Sequence, residues 1–390
     1  MHIQLIGFNE NLGYQENLLV KYHKKLGHDV SVITSTYKFF DKVNIVEPGW
    51  YNYNGIRILR LPYPSFIPLA LARKFKIVNG LKKALNEEKP DLVFLHGGLH
   101  GLESHTVLSY IKRVQREGKR LFLVVDSHAD EYNSARKFIS KLLHKTLWAW
   151  IARRVQKNAA VIYAINDGCK NFLIKYYKLD PLKIDLLPLG GDPEILSSLK
   201  SDECKAKVRQ NLNIKTDDFV LITGGKLDRQ KKIIELMKLV ANLESKNVKL
   251  IVFGSIAEEI KEDFWEIVNK YSDKIIYVGW LDLRDMYMYF LASDLAVFPG
   301  TQSAIWAHVI FCGLPAIFWY WPGMINFSEK GFSPCILVSN MDEIDSALRK
   351  ILADRDFYLK LKANAKMVAN DFSYELMAQK VLEVIEEQKT

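Results

Sequence analysis

The sequence lacks long hydrophobic runs. No apolar stretch approaches the roughly 18 residues that a membrane-spanning helix needs, although 49% of the 390 residues are hydrophobic. The first residues, Met1–Ile6, read as a strand and lack the basic start and small-residue cleavage site of a secretory signal peptide. The sequence therefore predicts a cytoplasmic protein without a membrane span.

Cysteine is scarce and carries no metal-binding pattern. The four cysteines, Cys169, Cys204, Cys312 and Cys335, are scattered and form no CxxC pair. This usage fits a reducing compartment and gives no structural zinc site. We expect neither a metal nor a resident cofactor.

Two common phosphate-binding motifs are missing. The glycine loop after the first strand does not read GxGxxG, and the glycine pair at 224–225 does not belong to a GxxxxGK[ST] motif. A dinucleotide fingerprint and a Walker loop are thereby excluded. No nucleic-acid-binding motif is present, so nucleic acid ranks last among anionic partners and we predict none.

The charge of the chain is basic and unevenly distributed. The formal net charge is +9. Residues 1–190 carry 29 Lys and Arg against 16 Asp and Glu, whereas residues 191–390 carry 25 against 29. The asymmetry indicates that the first half meets an anionic partner, such as a membrane surface or a pyrophosphate-linked acceptor.

Strand-like and helix-like segments alternate along the chain. Apolar runs such as Asp91–Leu95, Leu121–Val125 and Phe219–Thr223 have the length of buried strands, and amphipathic segments separate them. Such alternation predicts an α/β protein with two Rossmann-like, doubly wound domains. We place these domains at residues 1–190 and 191–373, with a linker at 194–207 and a last helix within 374–390.

Polar residues follow the strands of the first domain, at the edge where doubly wound sheets bind ligands. The strand Leu121–Val125 leads to Asp126, His128 and Asp130. The loop before the first helix carries Gly13, where an anionic ligand can approach a helix N-terminus. A histidine that is hydrogen-bonded within its own loop and a plain glycine turn are the alternatives.

A second polar junction lies in the other domain. Gly224, Gly225 and Lys226 read as a glycine turn after a strand, and Lys232 precedes the next helix. Glycines let a backbone approach a ligand closely, and ammonium groups neutralise phosphate charge. The turn therefore suits a diphosphate leaving group, with a solvated basic turn as the alternative.

The apolar run Asp294–Phe298 and the stretch Phe298–Phe318 that follows it read as strand, polar loop, helix and strand. Pro299 and Gly300 break the strand, and the loop presents Gln302 and Ser303. The same pattern fits an ordinary βαβ crossover. Both interpretations remain open on spacing alone.

Taken in order, these segments resemble a GT-B-fold retaining glycosyltransferase, similar to the glycosyltransferase family 4 enzymes of bacterial surface-polysaccharide assembly. The resemblance covers nearly the whole chain, through segments 13–19, 26–30, 126–130, 187–190, 225–232 and 298–315. It implies the GT-B architecture, two Rossmann-like domains facing a cleft. The first domain would bind the acceptor, with the C-terminal helix packed back on it, and the second would bind a nucleotide sugar.

The resemblance also implies roles for individual residues. His128 faces the donor sugar, and Lys226 and Lys232 hold the diphosphate; these three are the predicted catalytic residues. Donor contacts are implied at Gly13, Gly225, Gly254, Gln302, Ser303 and His308, and acceptor contacts at Tyr14, Gln15 and Asp130.

The chain departs from the family pattern at two kinds of position. Family members usually have arginine where this chain has Lys226, and lysine keeps the charge without the bidentate fork. The family also commonly carries two glutamates eight residues apart, before and within the helix that ends at Gly313. His308 occupies the second of these positions, and the first has no glutamate.

We therefore predict a retaining, metal-independent glycosyltransferase of cell-surface polysaccharide biosynthesis. It would use a nucleotide-diphosphate donor, most simply a UDP-sugar, and a lipid-linked or oligosaccharide acceptor. The alternatives are a non-catalytic nucleotide-sugar-binding subunit of an assembly complex and a GT-B-like UDP-sugar epimerase.

The segment 136–158 suggests where such a protein meets a membrane. It reads as one long helix with two tryptophans and seven Lys or Arg. Basic helices that carry tryptophan lie in membrane interfaces, which predicts a peripheral position at the inner face of the cell membrane. A core helix with its lysines and arginines extended to solvent is the alternative.

Overall fold

The computed structural model describes residues 1–5, 7–10, 12–38, 45–245, 247–327, 331 and 333–387. It divides into two compact units, Met1–Pro188 together with Tyr374–Thr390, and Leu189–Ser373. No helix in the described part of the chain combines the length and apolarity of a membrane span.

The first unit is built on an eight-stranded sheet. Its order is β3-β4-β2-β1-β5-β6-β7-β8, and each neighbouring pair is parallel except β3 with β4. The strands are β1 (His2–Gln4), β2 (Ser31–Ser35), β3 (Gly49–Tyr53), β4 (Ile56–Leu61), β5 (Leu92–Leu95), β6 (Phe122–Ser127), β7 (Val161–Ala164) and β8 (Ile184–Leu186).

Helices cover both faces of this sheet. They are α1 (Gln15–Lys25), α2 (Leu69–Phe75), α3 (Leu81–Glu88), α4 (Glu103–Arg116), α5 (Phe138–Leu143), α6 (Ala149–Gln156), α7 (Asp167–Phe172) and, from the end of the chain, α16 (Tyr374–Glu387). Alternate residues of one strand enter different cores: Val125 packs in the larger cluster, and Val124 packs with α1 and α16 in the other. Burial on both faces explains why these strands are continuously apolar.

The second unit contains a six-stranded, wholly parallel sheet of order β11-β10-β9-β12-β13-β14. Its strands are β9 (Phe219–Leu227), β10 (Val248–Ile256), β11 (Ile275–Tyr277), β12 (Leu295–Phe298), β13 (Ala316–Trp319) and β14 (Cys335–Val338). Its helices are α8 (Pro193–Ser197), α9 (Ser201–Asn211), α10 (Ile233–Ala241), α11 (Lys261–Lys270), α12 (Leu283–Ala292), α13 (Ile305–Phe311), α14 (Met341–Ala353) and α15 (Arg355–Val368). The predicted fold class, two Rossmann-like α/β domains, is confirmed.

Three predicted segments differ from the structure. The expected linker at 194–207 is instead occupied by α8 and α9, and the Asp192 side chain caps α8. The single helix expected at 136–158 begins at Phe138 and includes a π-helical turn, His144–Trp148. The glycine turn expected at 224–226 is extended strand, because β9 pairs with β10 as far as Leu227.

Candidate functional site

The strand order of the second unit reverses direction between β9 and β12. The chain proceeds from β9 outward to β10 and β11, and then returns to β12 on the other side. Loops diverge at such a switch point and leave a crevice at the carboxyl ends of the strands. The predicted donor-binding residues Gly225, Gln302 and Ser303, and the predicted catalytic residue Lys226, lie on these two strands or on the loops that follow them.

The loops after β9 and β12 are joined by hydrogen bonds. The Thr301 amide donates to the Gln230 carbonyl at 3.1 Å. The Lys231 ammonium donates to the carbonyl of Thr301 and, at 3.0 Å, to that of Gln302. A side chain at Gly300 would overlap the Gln230 backbone, so glycine permits this close approach.

Lys231 was not singled out by the sequence, although it holds this arrangement together. Burial lowers the pKa of its ammonium to about 8. The sequence offers only a run of basic residues at a strand–helix junction. The 3₁₀ turn Arg229–Lys231 decides which of them points toward the neighbouring loop.

Gly225 lies against the loop after β12. A Cβ added there would come within 3.0 Å of the Ile305 side chain and 4.0 Å of the Ser303 hydroxyl oxygen. On the neighbouring strand, Gly254 is directly opposite Gly225 in the β-sheet register. The structure thus brings Gly225, Gly254 and Ser303 together at one edge of the sheet.

The two predicted phosphate-binding lysines differ in their surroundings. Lys226 is exposed on β9 and makes no hydrogen bond or ion pair with the described residues. Lys232 has a left-handed backbone with φ of 51°. Its ammonium lies 3.6 Å from the centroid of the Trp319 ring, at the end of β13, in a cation–π contact.

His308 is buried on α13 and lies outside this group. Its Nδ1 is 2.9 Å from the Tyr287 hydroxyl, which accepts a hydrogen bond from the Asp192 amide. Burial lowers the pKa of His308 to about 4, so the ring is neutral at pH 7. No hydrogen bond within the described part of the chain links it to Lys226, Lys231 or Ser303.

In the first unit, the corresponding reversal lies between β1 and β5. Asp126 is the next-to-last residue of β6, beside this point. One oxygen of its carboxylate accepts a hydrogen bond from the Gly97 amide, and the other lies against His96 Nδ1, each at 2.7 Å. Burial alone would raise the pKa of Asp126, but the charge and hydrogen bond of His96 outweigh it and lower the pKa to about 2. His128 Nε2 is 4.0 Å from the same carboxylate, and its side chain is 46% exposed.

Asp130 shapes the loop that carries His128. One of its carboxylate oxygens accepts from the amides of Tyr132 and Asn133, at 2.7 and 2.6 Å. The Asn133 side chain in turn donates to the His128 carbonyl at 2.7 Å. Asp130 therefore stands where it can orient His128, and its predicted acceptor contact stays a prediction.

The predicted residues Gly13, Tyr14 and Gln15 lie after β1, at the start of α1 and near the same reversal. Gly13 and Tyr14 lead into the helix, and the Tyr14 side chain is 40% exposed. Gln15 is only 2% exposed, and neither atom of its side-chain amide has a hydrogen-bond partner among the described residues. A buried, unpaired amide indicates a ligand or water, because such groups are almost always hydrogen-bonded.

The described residues contain no cluster of three or more His, Cys, Asp or Glu side chains able to hold a metal ion.

Two family models match consecutive parts of the chain. Residues 17–195 match the model described as Glycosyltransferase Family 4, and residues 205–368 match Glycosyl transferases group 1.

One curated relative is similar over most of the chain. It is the Escherichia coli UDP-Gal:alpha-D-GlcNAc-diphosphoundecaprenol alpha-1,3-galactosyltransferase, 23% identical over 317 residues, which cover 78% of this chain and 77% of the relative.

Solved structures share the fold over the full length. Sucrose-phosphate synthase from Thermosynechococcus elongatus has a TM-score of 0.70 at 16% identity, and the match covers 99% of this chain and 98% of that one. Anabaena HepE, solved in complex with UDP and glucose, has a TM-score of 0.68 at 14% identity, with the same coverage.

Proposed function

The chain is a glycosyltransferase of the GT-B fold and of the family 4 type, and from this premise we propose that it transfers a sugar from a UDP-sugar to a lipid-linked acceptor with retention of anomeric configuration. The E. coli relative supports both substrates, since its name gives UDP-Gal as donor and a diphosphoundecaprenol-linked sugar as acceptor. The UDP complex of HepE supports the nucleotide. The proposed setting is cell-surface polysaccharide biosynthesis.

We base the proposed donor site on the carboxyl ends of β9 and β12 in the second sheet. Two positive-φ glycines, Gly225 and Gly254, leave the backbone open there, and Lys226 extends from the same strand without a partner among the described residues. A diphosphate matches such an edge because backbone and ammonium donors both stabilise anionic oxygens. Gln302 and Ser303 follow β12 at the same edge and are our candidates for contacts with the donor.

We assign no protein nucleophile to the reaction. The bond between the anomeric carbon and the diphosphate breaks, and the acceptor hydroxyl bonds to that carbon from the same face. The hydroxyl proton passes to the departing diphosphate, whose developing charge Lys226 and Lys232 neutralise. His128 is proposed to contact the donor sugar, and no metal is assigned a role.

The acceptor half of the proposal rests on the first unit. The unpaired amide of the buried Gln15 needs polar partners, which an acceptor or donor hydroxyl supplies. Tyr14 and Asp130 lie after β1 and β6, at the same edge of the sheet.

Helix α5 supports a peripheral contact with an anionic membrane. Phe138, Ile139 and Leu142 are 82%, 77% and 53% exposed on a segment rich in lysine. Apolar side chains beside basic ones bind the interface of anionic lipid bilayers. The two tryptophans of the predicted interfacial helix differ, because Trp148 is buried in the core whereas Trp150 is 50% exposed. Retention of F138S on anionic vesicles as fully as the unchanged protein would contradict this contact.

The proposed reaction is tested with purified protein, a panel of nucleotide sugars and a lipid-diphosphate-linked sugar, without added metal. We expect one UDP-sugar to raise the melting temperature and to give a product with retained configuration. Lys226→Ala and Lys232→Ala should each lower kcat by about 100-fold, the typical loss when one charge-stabilising donor is removed. Lys270→Ala, an exposed lysine at the end of α11, is the matched control.

Other outcomes of this experiment separate the alternatives. Binding of a UDP-sugar without turnover on any acceptor would favour a non-catalytic subunit, which the missing glutamate pair also favours. Interconversion of UDP-sugars without an acceptor would indicate an epimerase. Unchanged turnover in both lysine variants would overturn the diphosphate site.

A further inference from the structure

Three buried histidines form a continuous hydrogen-bonded chain in the first unit. It begins at Asp126, whose carboxylate is 2.7 Å from His96 Nδ1. His96 Nε2 is 3.0 Å from His2 Nδ1, and His2 Nε2 is 2.9 Å from His23 Nδ1. The chain ends at the Ala378 carbonyl of α16, 3.1 Å from His23 Nε2.

The groups at the two ends of the histidine chain, Asp126 and the Ala378 carbonyl, fix the number of protons that its hydrogen bonds need. The Ala378 carbonyl can only accept, so His23 must donate from Nε2 and accept at Nδ1. His2 must then donate to His23, and His96 must donate to His2. If all three rings are neutral, His96 Nδ1 is left as an acceptor that faces the carboxylate of Asp126, and that contact has no proton.

Four hydrogen bonds therefore need four protons, and three neutral imidazoles supply three. We propose that the histidine chain permanently holds a fourth proton and that His96 carries it, as an imidazolium bonded to ionised Asp126. His96 is thereby a positioning residue for His128. The placement of the proton is independent of the proposed reaction. The positioning role rests on the proposed function.

The surroundings favour the proton on His96 rather than elsewhere in the chain. Burial lowers the pKa of His2 well below its usual value and that of His23 to about 4, so both rings stay neutral. Asp126 is ionised in this arrangement, because its other carboxylate oxygen accepts from the Gly97 amide at 2.7 Å and, despite burial, the charge on His96 itself lowers the pKa of Asp126 to about 2. The ring of Phe94 stacks on His96 with centroids 4.3 Å apart and holds its plane.

Among the described residues, the other ionisable groups that face the histidine chain are the Met1 amino group, His28, His100 and His128. Of these groups, His128 is a predicted catalytic residue, and its Nε2 is 4.0 Å from the Asp126 carboxylate that His96 also contacts. An imidazolium at His96 holds the Asp126 carboxylate in one orientation and keeps it ionised. His128 then lies beside a carboxylate whose position is fixed and whose charge His96 balances. The histidine chain also connects this carboxylate to α16.

The proton count is tested by nitrogen NMR of the ring nitrogens in ¹⁵N-histidine-labelled full-length protein near pH 8. Couplings across the N–H···N bonds identify the three linked rings. We expect both nitrogens of His96 to show the protonated, imidazolium-type shift, and His2 and His23 to show one protonated and one bare nitrogen each. A bare Nδ1 on His96 in the unchanged protein overturns the proposal.

Two variants sharpen this test. In Asp126→Asn the amide can donate to His96 Nδ1 and still accept from the Gly97 amide, so His96 should become neutral and the signals of His128 should move. In His23→Gln the amide can donate to Ala378 and accept from His2, so the imidazolium should persist. Loss of the imidazolium in both variants, or in neither, contradicts the proton count, and the spectrum of the unchanged protein decides the question if a variant does not fold.

Discussion

Gly225 on β9 and Gly254 on β10 are two positions at which the structure requires glycine. They lie opposite each other with φ of 113° and 118°, in a region that favours glycine. A Cβ at Gly254 would overlap the carbonyl oxygen of Gly225, which is backbone and cannot rotate away. The pair therefore requires glycine for two reasons, the positive φ of the backbone and the lack of space for a Cβ.

Gly254→Ala should lower the free energy of unfolding by more than the roughly 1–2 kcal/mol that a left-handed alanine alone costs. Gly279→Ala is the matched control, because its φ is 76° and nothing lies within 4 Å of the added carbon. Urea unfolding of both variants gives the comparison. Equal losses in the two would mean that the neighbouring strand moves aside freely.

At the scale of single residues, the sequence predicted the residue types near the site but not the directions in which some side chains point. Apolar runs located the two strands near whose ends Gly225, Lys226 and Ser303 lie, and the family resemblance joined these residues in one donor site. The sequence did not separate Lys231 from its basic neighbours, since a 3₁₀ turn sets their directions. The histidine chain was also missed, because its members come from strands and helices far apart in sequence.

At the scale of elements, two loops of the second unit act as one. Lys231 donates to two carbonyls of the loop after β12, and Thr301 donates back to Gln230. Hydrogen bonds to a charged group contribute about 1.5–3 kcal/mol each, more than neutral ones. Lys231 thus holds the loop that carries Gln302 and Ser303 in place.

Lys231→Ala should make the amide of Thr301 exchange with solvent at least about tenfold faster, since losing 1.4 kcal/mol of protection corresponds to a factor of ten. In the unchanged protein the same loop should loosen as the pH rises through about 8, where Lys231 loses its proton. Hydrogen exchange corrected for intrinsic rates measures both effects. Lys261→Ala, an exposed lysine elsewhere in the unit, should leave the loop unchanged.

Elements buried on both faces were the ones that the sequence predicted well. The apolar runs of strands β5, β6, β9 and β12 were each expected, although β9 continues beyond its run through Gly224, Gly225 and Lys226. Strand β3 was missed because it is an antiparallel edge strand with almost every residue exposed. Helices α2 and α3 are separated by Lys76 and Gly80, both with left-handed backbone, and the apolar pattern of this segment does not mark that break.

At the scale of the whole molecule, buried histidines are concentrated in the first unit. Burial lowers the pKa of His2, His23, His100 and His144 there, and of His308 in the second unit. Each of these rings is neutral when folded but takes up a proton below about pH 6.5 when unfolded. The native state thus loses stability as the pH falls below about 6.5 and down to the folded pKa, which is about 4 for His23 and His308.

The two units should therefore differ in acid sensitivity. Each such histidine lowers the free energy of unfolding by up to about 1.4 kcal/mol per pH unit in this window, so the first unit should weaken more steeply than the second. Asp126 does not add to this loss until the pH falls below about 4, because its folded pKa is about 2 and its usual value is 3.8. Hydrogen exchange of core strands, β6 in one unit and β9 in the other, between pH 7 and 4.5 measures the two slopes separately. Equal slopes would show that protonation of His308, or of groups outside this set, balances the four histidines of the first unit.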